Sequence, residues 1–294
     1  MSRAHHDHDK YLRISSREIA ERDLFALALL LGRGFPRHTT GFWREVLGRL
    51  STRRTPAGLP RYGFLLEVDD TPVGIVLTLF RQGDIERGST FQCNLSSWYV
   101  EPEFRCYASL LQPRGPAYGD VTFVNITPAR HTLPLLKAQG FVQYSSGLFV
   151  TVPTARGPWN AHVEPFTAGS CAGSDLGASV VDLLLEHASY DCISVTCHDP
   201  GGRYPFVFKK WQSFRGIPSA YLVYCPNVED FVRFAGPLGR FLARRGFPLV
   251  VLDAVGPIAG LVGKFIDDQP KFFKGPTTPR LGDLAFTERA LFGF

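Results

Sequence analysis

The sequence lacks the marks of a secreted, membrane-spanning or metal-stapled chain. Its six cysteines, Cys93, Cys106, Cys171, Cys192, Cys197 and Cys225, include no Cys-x-x-Cys pair. Several lie in apolar runs, where a thiol acts as a small hydrophobe, so a reducing, cytoplasmic setting is the expectation. No apolar run approaches the roughly 18 residues of a membrane span, and the opening Met-Ser-Arg-Ala-His-His-Asp-His-Asp holds no apolar signal core. His5, His6 and His8 could catch a metal adventitiously, but they read as a frayed terminus. No P-loop, Ser-His-Asp order, zinc-ligand spacing or dinucleotide fingerprint stands out. The net charge of +5 suits an anionic ligand yet shows no clustered basic stripe for nucleic acid. What is present is apolar content: 45% hydrophobic residues over 294 positions is enough for two cores, in domains of about 150 residues each.

The organising stretch is residues 91–111. Cys93, Leu95, Ser97 and Tyr99 alternate with Gln92, Asn94, Ser96 and Trp98, a period of two that predicts a strand. After Val100 the period changes. Pro102 suits a first helical turn, and Phe104, Ala108 and Leu111 fall at i, i+4 and i+7 on one face. A strand feeding directly into a helix leaves free N–H groups and the positive end of the helix dipole beside a strand end, which suits a phosphate or pyrophosphate. Arg105 stands in that first turn. An ordinary strand-to-helix turn with a solvated arginine has the same pattern.

Around this stretch the pattern predicts a first strand over 11–14, then a helix opened by the capping box Ser15-Ser16-Arg17-Glu18 and stopped by Gly32 and Gly34. Thr39 or Thr40 caps a second helix carrying Phe42, Trp43, Val46, Leu47 and Leu50. A hairpin follows over 63–80, with its turn at Asp69-Asp70-Thr71-Pro72. Beyond the organising stretch come a strand over 121–126, a helix starting near Thr132 with Gly140 as its C′ residue, and a final hairpin to about Val152. The chain from Asp175 repeats this order: a helix, a hairpin over 192–209, a strand over 220–225, a helix over 228–245 interrupted by Pro237, and a strand over 249–253. Thereafter Gly and Pro are dense. These read as connecting loops, or as a place where Lys271, Lys274 and Arg280 meet a phosphate.

The string Val100-Glu101-Pro102-Glu103-Phe104-Arg105-Cys106-Tyr107-Ala108-Ser109-Leu110 resembles the acyl-CoA motif of the GNAT (GCN5-related N-acetyltransferase) superfamily. There a strand ending in Val-x-Pro is followed by Arg or Gln, then x-x-Gly-x-Gly or Ala. Gly140-Phe141 after a helix is similar to the same family, and so is the order of elements from residue 11 to about 152. Leu110 stands where the second small residue belongs, and Leu136 where many GNAT enzymes place a Tyr that protonates the departing thiolate.

The resemblance implies an α+β fold of two GNAT-like α/β/α halves, each a mixed, mostly antiparallel sheet flanked by helices. The N-terminal domain would span 1–152, a linker 153–174, and a degenerate C-terminal repeat 175–294. It implies an acyl-CoA-dependent N-acyltransferase that takes acetyl-CoA or another acyl-CoA as cosubstrate, a small-molecule or peptide amine as acceptor, and no metal. Trp98, Tyr99 and Val100 would hold pantetheine and polarise the thioester, while Arg105, Cys106, Tyr107, Ala108 and Ser109 would receive the pyrophosphate. Glu67, His131 and Asp253 are candidate bases, each of which also has an ordinary surface or capping role. Two other readings stay open: a non-catalytic acyl-CoA-binding or structural module, and a transferase resembling the Fem family with a tRNA-borne donor. The acceptor's identity and the oligomeric state do not follow from the sequence.

Overall fold

Alternation and β-branching between residues 14 and 150 produce strands β1 (Ile14–Glu18), β2 (Gly63–Val68), β3 (Thr71–Gln82), β4 (Phe91–Val100), β5 (Val121–Asn125), β6 (Val142–Ser145) and β7 (Gly147–Thr151). After them come β8 (His162–Pro165), β9 (Cys192–Asp199), β10 (Gly202–Gln212), β11 (Pro218–Tyr224), β12 (Leu249–Ala254), β13 (Gly263–Ile266) and β14 (Lys271–Lys274). The helices are α1 (Leu24–Gly34), α2 (Thr40–Thr52), α3 (Leu133–Ala138), α4 (Ala178–Ser189), α5 (Val228–Ala243) and α6 (Glu288–Leu291). This computed structural model describes residues 12–293 apart from 84–87, 89, 114–117, 154–156, 159, 172–174 and 213–215, so His5, His6 and His8 lie outside the described residues. The strands form two mixed seven-stranded sheets, ordered β1-β2-β3-β4-β5-β14-β6 and β13-β7-β12-β11-β10-β9-β8. The α+β class expected from the sequence is the class observed.

By contacts the chain divides into two compact units, Met1–Thr78 with Ser97–Tyr118, and Leu79–Ser96 with Gly119–Phe294. β3 and β4 pass from one to the other. In the first unit α1 and α2 bury Leu27, Ala28, Leu30 and Leu31 together with Trp43, Val46, Leu47 and Leu50. Thr39 caps α2 by accepting the Phe42 N–H at 3.2 Å. Asp69 and Asp70 turn the β2–β3 hairpin with φ of 47° and 62°, the left-handed pair that a tight hairpin turn requires. The expected capping box is not a helix start. Residues 14–18 are β1, paired antiparallel with β2, and Arg17 extends from it to bond both Glu67 and Asp23. Gly32 does not stop α1, which runs to Gly34; there a Cβ would lie 2.4 Å from the Tyr99 ring. Gly34 therefore serves close packing as well as helix termination.

In the second unit the core of the second sheet is lined by Val195, Phe206, Phe208, Leu222, Phe231, Phe234, Leu238 and Leu252. α5 continues through Pro237, which was expected to split it. The burial of Phe231, Phe234, Leu238, Phe241 and Leu242 along one helix outweighs the hydrogen bond that proline removes. Buried thiols behave as expected: burial pushes Cys192 up to about 11 and Cys197 and Cys225 up to about 12.

The hairpin expected before residue 152 does not form. Only Ser146 separates β6 from β7, too little chain to fold back, and the two strands enter different sheets. β14 lies between β5 and β6, while β7 lies between β12 and β13. The Gly- and Pro-rich tail is thus partly strand. Its three cations have internal partners: Lys271 pairs with Asp253, Lys274 donates to the Gln139 carbonyl, and Arg280 bonds the carbonyls of Cys225 and Pro226 as well as Asp283.

His187 of α4 ties this tail down. Its Nδ1 lies 2.8 Å from the Leu183 carbonyl and its Nε2 accepts the Phe286 N–H at 3.0 Å, so the ring is held neutral. Burial lowers its pKa from 6.5 to about 4. The unfolded chain therefore takes up this proton near pH 6.5 and the folded chain only near 4. The stability in question is present above 6.5 and lost as pH falls through that window, up to about 3 kcal/mol. Urea melts between pH 4.5 and 7.5 should show this loss, and a His187→Gln variant should start lower and lose less.

Candidate active site

β4 and β5 run parallel, but their pairing covers only residues 91–94 against 121–124, although β4 continues to Val100. Past Asn94 the two strands fork. Ser97 has φ of 49°, a left-handed residue that breaks the strand's alternation. Asn94 sits at the crotch, where its Nδ2 donates to the Leu95 and Val124 carbonyls at 3.2 and 3.4 Å. Its Oδ1 accepts the Glu288 N–H at 2.9 Å. Glu288 opens α6 and brings its carboxylate between the diverging strands, where Ser96 on β4 and Thr127 just past β5 both donate to it. Glu288 is 1% exposed, whereas Thr127 is exposed, so the carboxylate lies one side chain below the surface. Burial raises the Glu288 carboxyl above its ordinary value, against the two hydroxyl hydrogen bonds that favour its charged form.

A second buried cluster lies on the same unit's strands. Lys271 Nζ is 2.7 Å from Asp253 Oδ1, both side chains being almost completely enclosed, and the Tyr221 hydroxyl donates to the same carboxylate. Burial lowers the Lys271 pKa and raises that of Tyr221; Asp253 opposes the first shift and adds to the second. Arg289 stacks over the Tyr221 ring at 4.8 Å.

In the first unit β4 ends in Trp98 and Tyr99, half-buried, and Val100, buried. The chain then enters a 3-10 helix, Pro102–Leu111, whose first turn carries no side-chain cap. The expected α-helix is replaced by this tighter form, yet the expected face holds: Phe104 and Ala108 are half-buried and Leu111 buried, while Arg105, Cys106, Tyr107 and Ser109 are exposed. Leu110 is 39% exposed and turns toward solvent. Leu136 is buried and has no proton to give.

The three candidate bases fall in different surroundings. Glu67 is gripped by Arg17 through both oxygens, at 3.0 and 2.7 Å. Asp253 is committed to Lys271 and Tyr221, and His131 is exposed in the 3-10 turn Arg130–Thr132. Sequence reasoning missed Glu288 and Lys271. Both lie more than 140 positions from the strands 91–127 in sequence, and no spacing rule connects them.

No family model matches the chain, and no curated protein does. Solved structures do match. A GCN5-related N-acetyltransferase from Anabaena variabilis ATCC 29413 superposes with a TM-score of 0.60 at 12% identity, covering 90% of this chain and 73% of that one. One from Kribbella flavida gives 0.56 at 14% identity, over 89% of this chain and 71% of that one. The GCN5-related glucosamine N-acetyltransferase region of a fungal multi-domain β-N-acetylglucosaminidase gives 0.58 at 9% identity, over 90% of this chain and 38% of that one. This chain has the GCN5-related N-acetyltransferase fold.

Each sheet of this GNAT fold contains one parallel pair, β4–β5 and β11–β12. The two forks differ. Beyond the paired residues 219–221, β11 meets the chain's own tail: Cys225 N–H donates to Gly282 O at 2.9 Å, Leu284 N–H donates to Val223 O at 2.8 Å, and Tyr224 bridges Asp283. α5 follows with Glu229 and Asp230 in its first turn, which repel an anion. Arg233 is held by Asp199 and Tyr204 and lies over the Phe234 ring at 4.9 Å. At the first fork, β4 passes into an uncapped helical turn beside exposed Arg105. A pyrophosphate fits there and not at the second fork.

Proposed function

We propose that this protein is an acyl-CoA-dependent N-acyltransferase for an amine, acting at the fork of the first sheet. The observation that carries the reading is the early end of β4–β5 pairing around a buried, hydroxyl-bonded carboxylate. The free backbone of residues 97–100 would hold the pantetheine arm and donate to the thioester oxygen. The first turn of the Pro102–Leu111 helix, with Arg105, would hold the pyrophosphate.

Glu288 is the base in this scheme. Its carboxylate takes a proton from the acceptor nitrogen as that nitrogen attacks the thioester carbon. The C–S bond breaks, the amide forms, and the same carboxyl returns the proton to the departing sulfur, which leaves as the free thiol. A carboxyl raised by burial suits both steps. Leu136 leaves no tyrosine for the second.

Release of free thiol from acetyl-CoA and longer acyl-CoAs, over a panel of small amines, an amino sugar and peptide N-termini, tests the reading. The amino sugar belongs in the panel because one structural neighbour acts on glucosamine. Binding by calorimetry without turnover would identify a binding module, and no binding would defeat both readings. Arg105→Ala should weaken CoA binding by roughly 1.5–3 kcal/mol, the range for hydrogen bonds to a charged group. Dephospho-CoA should lose as much, and folding stability should change by no more than about 0.5 kcal/mol. Arg233→Ala should leave CoA affinity unchanged while lowering stability, because Asp199 loses its partner.

A further inference from the structure

Two histidines and a glutamate meet at the outer edge of the second sheet, away from anything acyl transfer uses. β8 is the edge strand. The β8–β9 register sets His162 opposite His198 and Glu164 opposite Thr196. With side chains alternating along a strand, His162 and Glu164 share a face of β8, and cross-strand pairing gathers all four side chains into one patch. The imidazoles stack, with centroids 4.8 Å apart and planes 12° from parallel. One oxygen of Glu164 lies 3.4 Å from His162 Nε2, and the other lies 3.6 Å from His198 Nε2.

These separations distinguish a ligand set from a hydrogen-bonded cluster. A charge-assisted N–H···O bond closes to about 2.8 Å, and neither contact does. Donors about 2.1 Å from a zinc ion at tetrahedral angles stand about 3.4 Å from one another. Two of the three separations already have that length, and one ligand atom from each residue lies within 4.8 Å of the others. Two imidazoles and one carboxylate suit a borderline divalent ion and not a hard one such as magnesium or calcium.

The surroundings agree. Burial lowers the His198 pKa and keeps its ring neutral, with Arg203 acting in the same direction and Glu164 and Asp175 against it. Arg203 is itself offset by Asp175 at 3.5 Å. Thr196 Oγ1 lies 2.9 Å from His198 Nε2 and would be exchanged on binding. The side chains of His162 and Glu164 are 61% and 58% exposed, which gives an ion a direct way in.

We propose that His162, Glu164 and His198 form a binding site for a divalent transition metal of the zinc class, with the fourth position open to water. The ion fastens edge strand β8 to β9. Sequence spacing hides the site, because two ligands lie on one strand and the third lies on its neighbour after an intervening helix.

The test is a calorimetric titration of the full-length, metal-stripped protein with Zn²⁺ at pH 7.5. It is run in a background carrying His5→Asn, His6→Asn and His8→Asn, which removes the histidine-rich terminus as a competing binder. The expected result is one ion per chain and a raised melting temperature. His162→Ala and Glu164→Gln should each weaken binding by at least about tenfold, since even outer-sphere partners are worth that much. Both positions are on the surface, and matching melts of the metal-free variants will show that the fold is kept. Co²⁺ should give the intense visible absorption of a tetrahedral ion in the background protein and lose it in both variants. No uptake in the background protein, or uptake undiminished in both variants, would overturn the proposal.

Discussion

Glu288→Gln is expected to lower kcat/KM for acyl transfer by at least about a hundredfold, the lower end of what a positioned general base contributes. The amide keeps the shape of the side chain and an oxygen for Ser96 or Thr127, so CoA affinity and the folded structure should persist. The parent's pH profile gives the second signature. Only the carboxylate form accepts a proton, so activity should rise with pH through a Glu288 pKa raised by burial, and the variant should lack that acid limb. Turnover within threefold of the parent would remove Glu288 from the mechanism and return attention to His131, the exposed candidate.

Lys271→Ala should be the most damaging single change to stability, at about 3–5 kcal/mol, because it leaves Asp253 buried without its counter-charge. The cost lies in the orphaned carboxylate more than in the lost contact. Lys271→Met combined with Asp253→Asn should therefore recover much of it, as the asparagine oxygen still accepts from Tyr221 and no buried charge remains. Urea melts of the parent, single and double variants measure both effects. A double variant as unstable as the single one would mean that the pair has a role beyond neutralising itself.

Local rules explain what could be read in advance. Trp43, Val46, Leu47 and Leu50 on α2, the Asp69–Asp70 turn, and Gly140 at the end of α3 with φ of 84° each follow from periodicity or backbone freedom within a few residues. Ser15-Ser16-Arg17-Glu18 misled because a capping box and an edge strand share its composition, and pairing with β2 decided between them. In the functional region, the strand running into a helix at Pro102 was visible, but its 3-10 character was not. The chemistry was least legible. Glu288 reaches Ser96 from nearly two hundred positions away, and Lys271 reaches Asp253 from another strand, so only the fold brings them together.

The placement of β14 bears on how the molecule is made. β5 and β6 each show an unsatisfied strand edge until residues 271–274 arrive between them, and those residues are synthesised long after both. A nascent chain released before that point carries two open edges of backbone N–H and C=O groups inside what should be a sheet interior, a template for pairing with other chains. C-terminal truncations ending between β13 and β14 should accordingly go to inclusion bodies, while the chain that includes β14 stays in solution.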